Sequence, residues 1–446
     1  MEINKNDEFT IYIDGYTSEG AGVGRIGSYP VFVPFTATGD MAKVRIVKVG
    51  KTFGYGKLIE IIKPSDVREE PICPHFSTCG GCAIMHLNKS ERLRFKREKV
   101  SDALKRIGGI DAYVQDTVSD REEGYRNKSQ MPVTDDYQQG MYRTHSNTKV
   151  AVPNCVIQDE ASKRIIGKML NLLKEKNIKP YDPETGEGVI RHLYTRVSGK
   201  DGSVLLIVVL AEEVDLSLVK KALEDENVKG LLLNINPGRT SVILGDKTEV
   251  IFGSDHIKDS LSGVDFDIYA DSFFQVNRFL TQKLYDKAVE LCGLTGKETV
   301  FDLYCGAGTI TAALAKGGAG KVIGVEIVPS AVKAAKKSLA RANIKNAVIY
   351  EGASEIIAPR LIQKGEKADV VVVDPPRKGC APELLSALAL MKPERIVYVS
   401  CDPATLARDA AQLKNSGYEV KTAVPFDMFP YTYHVETVVL MSRVKE

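Results

Sequence analysis

From about residue 271 onward, short apolar runs alternate with segments of helical periodicity, and this alternation constrains the chain more than any other feature. Strands are expected at 299–303, 321–326, 348–351, 370–374 and 395–400, with helices from Ile310 and over 331–342. Parallel neighbours need a crossover to bring the chain back, usually a helix, so this order predicts an α/β, doubly wound parallel sheet. In such sheets ligands bind beyond the carboxyl ends of the strands. The residues that close each strand are therefore the ones to read for chemistry.

The first 63 residues have a different rhythm. Runs at 9–13, 30–35, 41–49 and 57–62 are punctuated by Gly15, Gly20, Gly22, Gly24, Gly27 and Gly39, which predicts a five-stranded OB-like β-barrel. Lys43, Arg45, Lys48, Lys51 and Lys57, with Phe53 and Tyr55, suit RNA backbone contact and base stacking. A solvated β-surface accounts for the same residues equally well. Residues 64–74 read as a linker. Residues 88–107 read as an amphipathic helix with eight basic side chains against three acids, either a solvated face or a phosphate-tracking one. Residues 125–270 are strand-rich, with buried strands at 204–210 and 230–236 and helices at 160–175 and 216–223.

The formal net charge of +2 over 446 residues excludes nucleic-acid binding by bulk charge and leaves it to local patches. The start of the chain lacks a signal-peptide pattern, and no apolar run approaches the ~20 residues that span a bilayer. A cytoplasmic protein, off the membrane and with no obligate protein partner, is expected. Eight cysteines are too few for a disulfide scaffold in so long a chain.

The first strand of the α/β half runs into Asp302-Leu303-Tyr304-Cys305-Gly306-Ala307-Gly308. Its glycines let backbone approach a ligand at a helix N-terminus. Glu326 closes the next strand, where a carboxylate can accept from both ribose hydroxyls. The third glycine of a dinucleotide fingerprint is replaced by Thr311, so the turn points to S-adenosylmethionine rather than to a pyrophosphate cofactor. Asp374-Pro375-Pro376 closes a later strand. Arg377 then stands where enzymes that methylate exocyclic amines place an aromatic ring, which argues against that chemistry.

Ser400-Cys401-Asp402-Pro403 closes the following strand. Carbon 5 of uracil is a poor nucleophile. Thiolate addition at carbon 6 makes an enolate that can attack a methyl sulfonium, after which a base removes the carbon-5 proton and elimination frees the enzyme. Cys401 is placed for the thiolate role. Glu436, at the start of an apolar strand, and His434 are the two candidate bases. Cys73, Cys79, Cys82 and Cys155 form a separate constellation whose four thiolates suit Zn²⁺ or an iron–sulfur cluster.

With these motifs in order, joined by Phe273-Phe274-Gln275-Val276-Asn277, the chain resembles the S-adenosylmethionine-dependent RNA (uracil-5-)-methyltransferases, on their 23S ribosomal RNA branch with an N-terminal TRAM domain. The resemblance implies that Cys401 is the nucleophile and Glu436 the base, and that Gln275, Tyr304, Glu326 and Asp374 contact S-adenosylmethionine. It implies a 4Fe–4S cluster on Cys73, Cys79, Cys82 and Cys155, with a structural role. It also implies a TRAM-like barrel over 1–63, an α+β central domain carrying the cluster over 64–88 and 121–270, and a Rossmann-like methyltransferase domain over 89–120 and 271–446. The expected partner is 23S ribosomal RNA, because the usual transfer-RNA member lacks both barrel and cysteine cluster. The alternatives are a transfer-RNA uracil-5-methyltransferase and a non-catalytic iron–sulfur RNA-binding protein.

Overall fold

The computed structural model describes residues 3–444 except 145, 217–218, 220–222, 224–225 and 240–241. Strands β1 (Glu8–Tyr16), β2 (Gly22–Ile26), β3 (Tyr29–Val33), β4 (Met41–Val49) and β5 (Gly54–Lys63) close into a barrel in the order β1-β2-β3-β5-β4. Alternation places Ile11, Ile13, Val31, Val33, Val44 and Ile46 inside. Phe32, Phe53 and Tyr55 cluster outside, with the Phe32 and Phe53 rings stacked 4.9 Å apart.

Helix α1 (Lys89–Arg106) follows, capped by the Asn88 side chain, which accepts the Glu91 N–H at 3.0 Å. Most of its basic residues have partners within the protein. Arg92 is buried against Glu69 and Glu122, and Lys96 against Asp427. Arg94 pairs with Glu91 and Glu98, Arg97 with Asp116, and Arg106 with Asp102. Lys99 donates to the Tyr433 carbonyl at 2.9 Å and Lys89 to that of Asp120. The helix is a cross-brace: Arg92 and Lys96 pair with acids inside the protein, and Arg94, Arg97 and Arg106 pair with acids at its surface.

The middle of the chain contributes β6 (Lys128–Pro132), β7 (Gly140–Tyr142), β8 (Lys149–Ala151), α2 (Glu160–Glu175), β9 (Ile190–Val197), β10 (Val204–Leu210), β11 (Val228–Ile235) and β12 (Lys247–Gly253). The sheet order is β12-β11-β10-β9-β6. Helix α2 covers one face. The hairpin β13 (His256–Leu261) and β14 (Val264–Tyr269) packs on the other and joins it to the catalytic half in one apolar core. The helix expected over 216–223 falls largely outside the described residues.

The last part alternates helix and strand: α3 (Thr281–Cys292), β15 (Thr299–Leu303), α4 (Thr309–Lys316), β16 (Lys321–Glu326), α5 (Pro329–Arg341), β17 (Ala347–Glu351), α6 (Ser354–Gln363), β18 (Val370–Val373), α7 (Pro382–Met391), β19 (Arg395–Ser400), α8 (Pro403–Asn415), β20 (Tyr418–Phe426) and β21 (Glu436–Arg443). The sheet runs β17-β16-β15-β18-β19-β21-β20. Five strands are parallel, and β21 enters antiparallel between β19 and β20. Helices α3, α4 and α5 pack on one face, and α1, α6, α7 and α8 on the other.

The expected iron–sulfur site is not part of this fold. Among the described residues, no group of three or more His, Cys, Asp or Glu is placed to hold a metal ion. Cys73, Cys79, Cys82 and Cys155 are free and half-buried. Cys73, Cys82 and Cys155 pack against an apolar cluster of Met85, Tyr125, Ile157 and Tyr431. Burial, and then the neighbouring thiols, push the thiols of Cys79, Cys82 and Cys155 up. They serve as small apolar side chains, which their clustered spacing does not reveal.

The Lys96–Asp427 pair joins α1 to the segment leading into β21, and both side chains are fully buried. Asp427→Ala strands a buried ammonium and is expected to destabilise by about 3–5 kcal/mol, while the Lys96→Met/Asp427→Ala double variant loses less. Denaturant titration of the three proteins measures the difference.

Candidate active site

The carboxyl edge of the seven-stranded sheet assembles the site by register alone. Leu303 of β15 pairs with Val325 of β16 and with Val373 of β18, which brings the residues that follow, Tyr304, Glu326 and Asp374, side by side. Ser400 of β19 pairs with Thr437 of the antiparallel β21. One step further along that ladder, Cys401 stands opposite Glu436. All five, with Gln275 from the segment after the hairpin, line one cavity of about 1750 Å³. His434 lines it too, as do Cys73, Cys79, Cys82 and Cys155.

The turn after β15 depends on three left-handed residues. Tyr304 has φ 66°, Gly306 φ 54° and Gly308 φ 78°. A Cβ on Gly308 would stand 2.9 Å from that of Ala335 in α5, so glycine is required both for conformation and for space. For Tyr304, which has a side chain, the conformation is strained, as is common where a ligand is held. Glu326 is fixed by two backbone donors, Gly306 N–H at 2.9 Å and Val328 N–H at 2.8 Å. Gln275 is buried, and its carbonyl accepts from Asn127 Nδ2 at 3.1 Å.

The site gathers acids. Glu436 is 5% exposed. Burial first, then Asp374, pushes its carboxyl up to about 8 against the opposing pull of Arg377. Burial and the charge of Asp302 push Asp374 up to about 7. Asp302 is itself pushed up to about 7 by burial, although the Thr311 hydroxyl donates to it at 2.5 Å. Burial, Glu436 and Asp374 push the Cys401 thiol up to about 12. His434 moves the other way, down to about 4, because burial and the cations of Arg377, Lys99 and Lys96 disfavour its charged form.

Two sets of supports have no motif in the sequence. Helix α8 starts at the nucleophile turn and holds the loop after Asp374. Thr405 Oγ1 donates to the Arg377 carbonyl at 3.1 Å, Arg408 to that of Lys378 at 2.9 Å, and Asp409 accepts the Cys380 N–H at 2.8 Å and the Tyr398 hydroxyl at 2.7 Å. From α1, Lys96 and Lys99 bind the carbonyls of Phe429 and Tyr433 just ahead of His434. Helical periodicity signals only the apolar side of these helices, so polar supports on the same turns pass unread. Arg377 was legible only as the residue that excludes amine methylation. In the structure its guanidinium lies 3.3 Å from His434 Nδ1 and is the cation acting on Cys401 and Glu436.

Residues 88–444 match the tRNA (uracil-5-)-methyltransferase family model, and residues 4–59 match that of the TRAM domain. An uncharacterised RNA methyltransferase of Clostridium acetobutylicum is 43% identical over 100% of this chain and 99% of its own. One of Halalkalibacterium halodurans is 41% identical over 98% of each. Among solved structures, the tRNA (uracil-54, C5)-methyltransferase of Pyrococcus abyssi, in complex with S-adenosyl-L-homocysteine, is similar with a TM-score of 0.80 and 28% identity, covering 97% of this chain and 100% of its own. That likeness overturns the expectation of a 23S ribosomal RNA enzyme. The expectation rested on the barrel and the cysteines, yet a transfer-RNA enzyme matches over a span too long to leave either outside.

A carboxyl raised above its unfolded value binds its proton more tightly in the folded state, so stability falls as pH rises from the ordinary 4.5 of a free Glu through about 8. Glu436→Gln removes that titration. The melting temperature of the ligand-free variant minus that of wild type is expected to be small at pH 5 and clearly positive at pH 8.5. Thermal scans at the two pH values check it, and an equal difference at both contradicts it.

Proposed function

Because this chain belongs to the tRNA (uracil-5-)-methyltransferase family, we propose that it methylates carbon 5 of a uridine in transfer RNA with S-adenosylmethionine. The observation that carries the reading is the facing pair Cys401 and Glu436 at the sheet edge, beside Asp374, Tyr304 and Glu326, in one cavity. The transfer-RNA substrate is supported by the Pyrococcus abyssi relative, whose target is uracil 54. A cytoplasmic location fits that substrate, and among the described residues no helix is long and apolar enough to cross a membrane.

The residues fit S-adenosylmethionine. Glu326 closes β16 at the position for ribose hydroxyls, and the strained Tyr304 turn leaves open space beside Gly306. Bound there, S-adenosylmethionine supplies an electrophilic methyl group on a sulfonium. Glu326, Asp374 and Glu436 line that position, and acidic groups there favour a cation over a neutral ligand.

Cys401 loses its proton to solvent and adds as the thiolate to carbon 6 of the extruded uracil, and the electron pair of the carbon 5–carbon 6 double bond moves to leave an enolate. Carbon 5 takes the methyl group as the carbon–sulfur bond of the donor breaks and the sulfonium becomes a neutral thioether. Glu436 then accepts the carbon-5 proton. The electron pair closes the carbon 5–carbon 6 double bond and expels Cys401 as thiolate. Of the two candidate bases, Glu436 has a basicity suited to neutral pH, whereas His434, held near 4, is too weak. His434 and Arg377 instead form a polar wall beside Cys401.

Incubation of the protein with a transfer-RNA transcript and S-adenosylmethionine is expected to give 5-methyluridine by mass spectrometry, and absence of that product contradicts the reading. Cys401→Ala is expected to give none while still binding both ligands.

Glu436→Gln is expected to lower turnover by ~10²–10⁴ and to accumulate a methylated RNA–protein adduct on Cys401 that survives a denaturing gel. A Glu436→Gln enzyme with normal yield and no adduct removes Glu436 from the base role.

A further inference from the structure

Across the ladder between β6 and β9, Lys128 stands directly opposite Arg196. Like charges at facing positions are destabilising. Arg126, two residues earlier in extended backbone bridged to Gln158 and Asn277, projects to the same side. Among the described residues, none of the three forms an ion pair with a carboxylate. Arg196 donates to the carbonyls of Ala270 and Ser272, and Arg126 Nε to the Lys128 carbonyl at 3.0 Å. Lys128 Nζ lies over the Tyr194 ring, 5.4 Å from its centre. The nearest acid acting on Arg196 is the exposed Asp271, which does not bond to it. Burial and the two guanidinium groups push Lys128 down to about 8.

The cluster reaches the reaction cavity through Arg126, with Lys128 and the buried Arg196 behind the lining. Arg126 lines that cavity together with Ser272 and Gln275. Asn127, between the two basic residues, holds the Gln275 carbonyl through Nδ2 and the Val276 carbonyl through its N–H at 3.0 Å. Three cations without counterions beside a cavity lined by acids are a local cost that an anionic ligand removes. The cavity's cofactor end favours a cation, so the anion belongs to the other ligand. We propose that Arg126, Lys128 and Arg196 form a subsite for an RNA backbone phosphate flanking the extruded uridine. Holding that phosphate fixes the displaced backbone while the base stays in the cavity. Lys128 and Arg126 make the contacts, and Arg196, anchored on two carbonyls, adds its field. The inference rests on the RNA reading above and names its contact.

The test uses the full-length protein and a fluorescently labelled transfer-RNA transcript, with affinity measured over a series of KCl concentrations. Lys128→Gln is expected to reduce the slope of log affinity against log salt by about 0.7–0.9, the loss of one phosphate contact, and Lys128→Arg to restore it. Lys128→Gln is also expected to raise the melting temperature of the free protein, because it removes the facing like charges, and to leave S-adenosylmethionine affinity unchanged by calorimetry. An unchanged salt slope overturns the subsite. So does a tenfold loss of S-adenosylmethionine affinity without a change in slope, which would assign the cluster to the cofactor carboxylate. A wild-type protein that binds no RNA overturns subsite and function together. One that binds with the expected slopes but methylates nothing overturns the function alone and leaves the subsite standing.

Discussion

The antiparallel ladder between β19 and β21 is the interaction on which the site depends. In a purely parallel sheet, every strand would present its carboxyl end to the ligand edge, and the residues that begin strands would lie at the far side. Reversing one strand brings an amino-terminal residue, Glu436, to the same edge as the carboxyl-terminal Cys401. A slip of one residue in that register would turn Glu436 to the opposite face of the sheet. The register is held by burial on both sides: Val397 and Val438 enter one core, Tyr398 and Val439 the other. Packing energy spread along the strand thus sets the position of one carboxylate.

That carboxylate lies in an environment the fold does little to neutralise. Burial raises Asp302, Asp374 and Glu436, with Glu326 acting on the first, Asp302 on the second and Asp374 on the third, and Arg377 pulls the last of them down. Burial, Glu436 and Asp374 also disfavour the Cys401 thiolate. An uncharged pocket would bind any adenosine. An acidic one favours a sulfonium over a neutral thioether.

The α/β alternation, the barrel and the residues at the strand ends were legible in the sequence because each has a local signature: period, glycine rhythm, or position after an apolar run. Long-range polar partners were not. Lys96 and Asp427 are 331 residues apart, and nothing in either neighbourhood marks the pair. Basic residues on α1 looked like an excess of charge, since their acids lie elsewhere in the sequence at 69, 116, 122 and 427. The cysteines misled for the opposite reason. Their spacing is a strong local signal, yet half-buried thiols among Met85, Tyr125, Ile157 and Tyr431 pack as apolar groups. The substrate branch was inferred from those same features and shifted with them.

The cross-braced helix also explains how a separate barrel bears on the reaction edge. The Tyr16 hydroxyl at the end of β1 donates to Glu91 at 2.8 Å and accepts the Thr38 N–H at 3.0 Å, so barrel and α1 share one buried hydrogen-bond centre. One turn on, Phe95 packs edge-on against Tyr16, and Arg92 stacks on Tyr431. Lys96 and Lys99 then reach the carbonyls ahead of His434. From barrel to catalytic strand the path runs through five side chains of one helix, each bonded or packed at both ends. A helix of fixed rise transmits position with little slack. The barrel is therefore held at a set distance from Cys401. The helix that most resembled a nucleic-acid contact by charge contributes to recognition by setting that distance, and the uncompensated cations that face an RNA lie instead on β6 and β9, where each counts singly and no run of basic residues marks them.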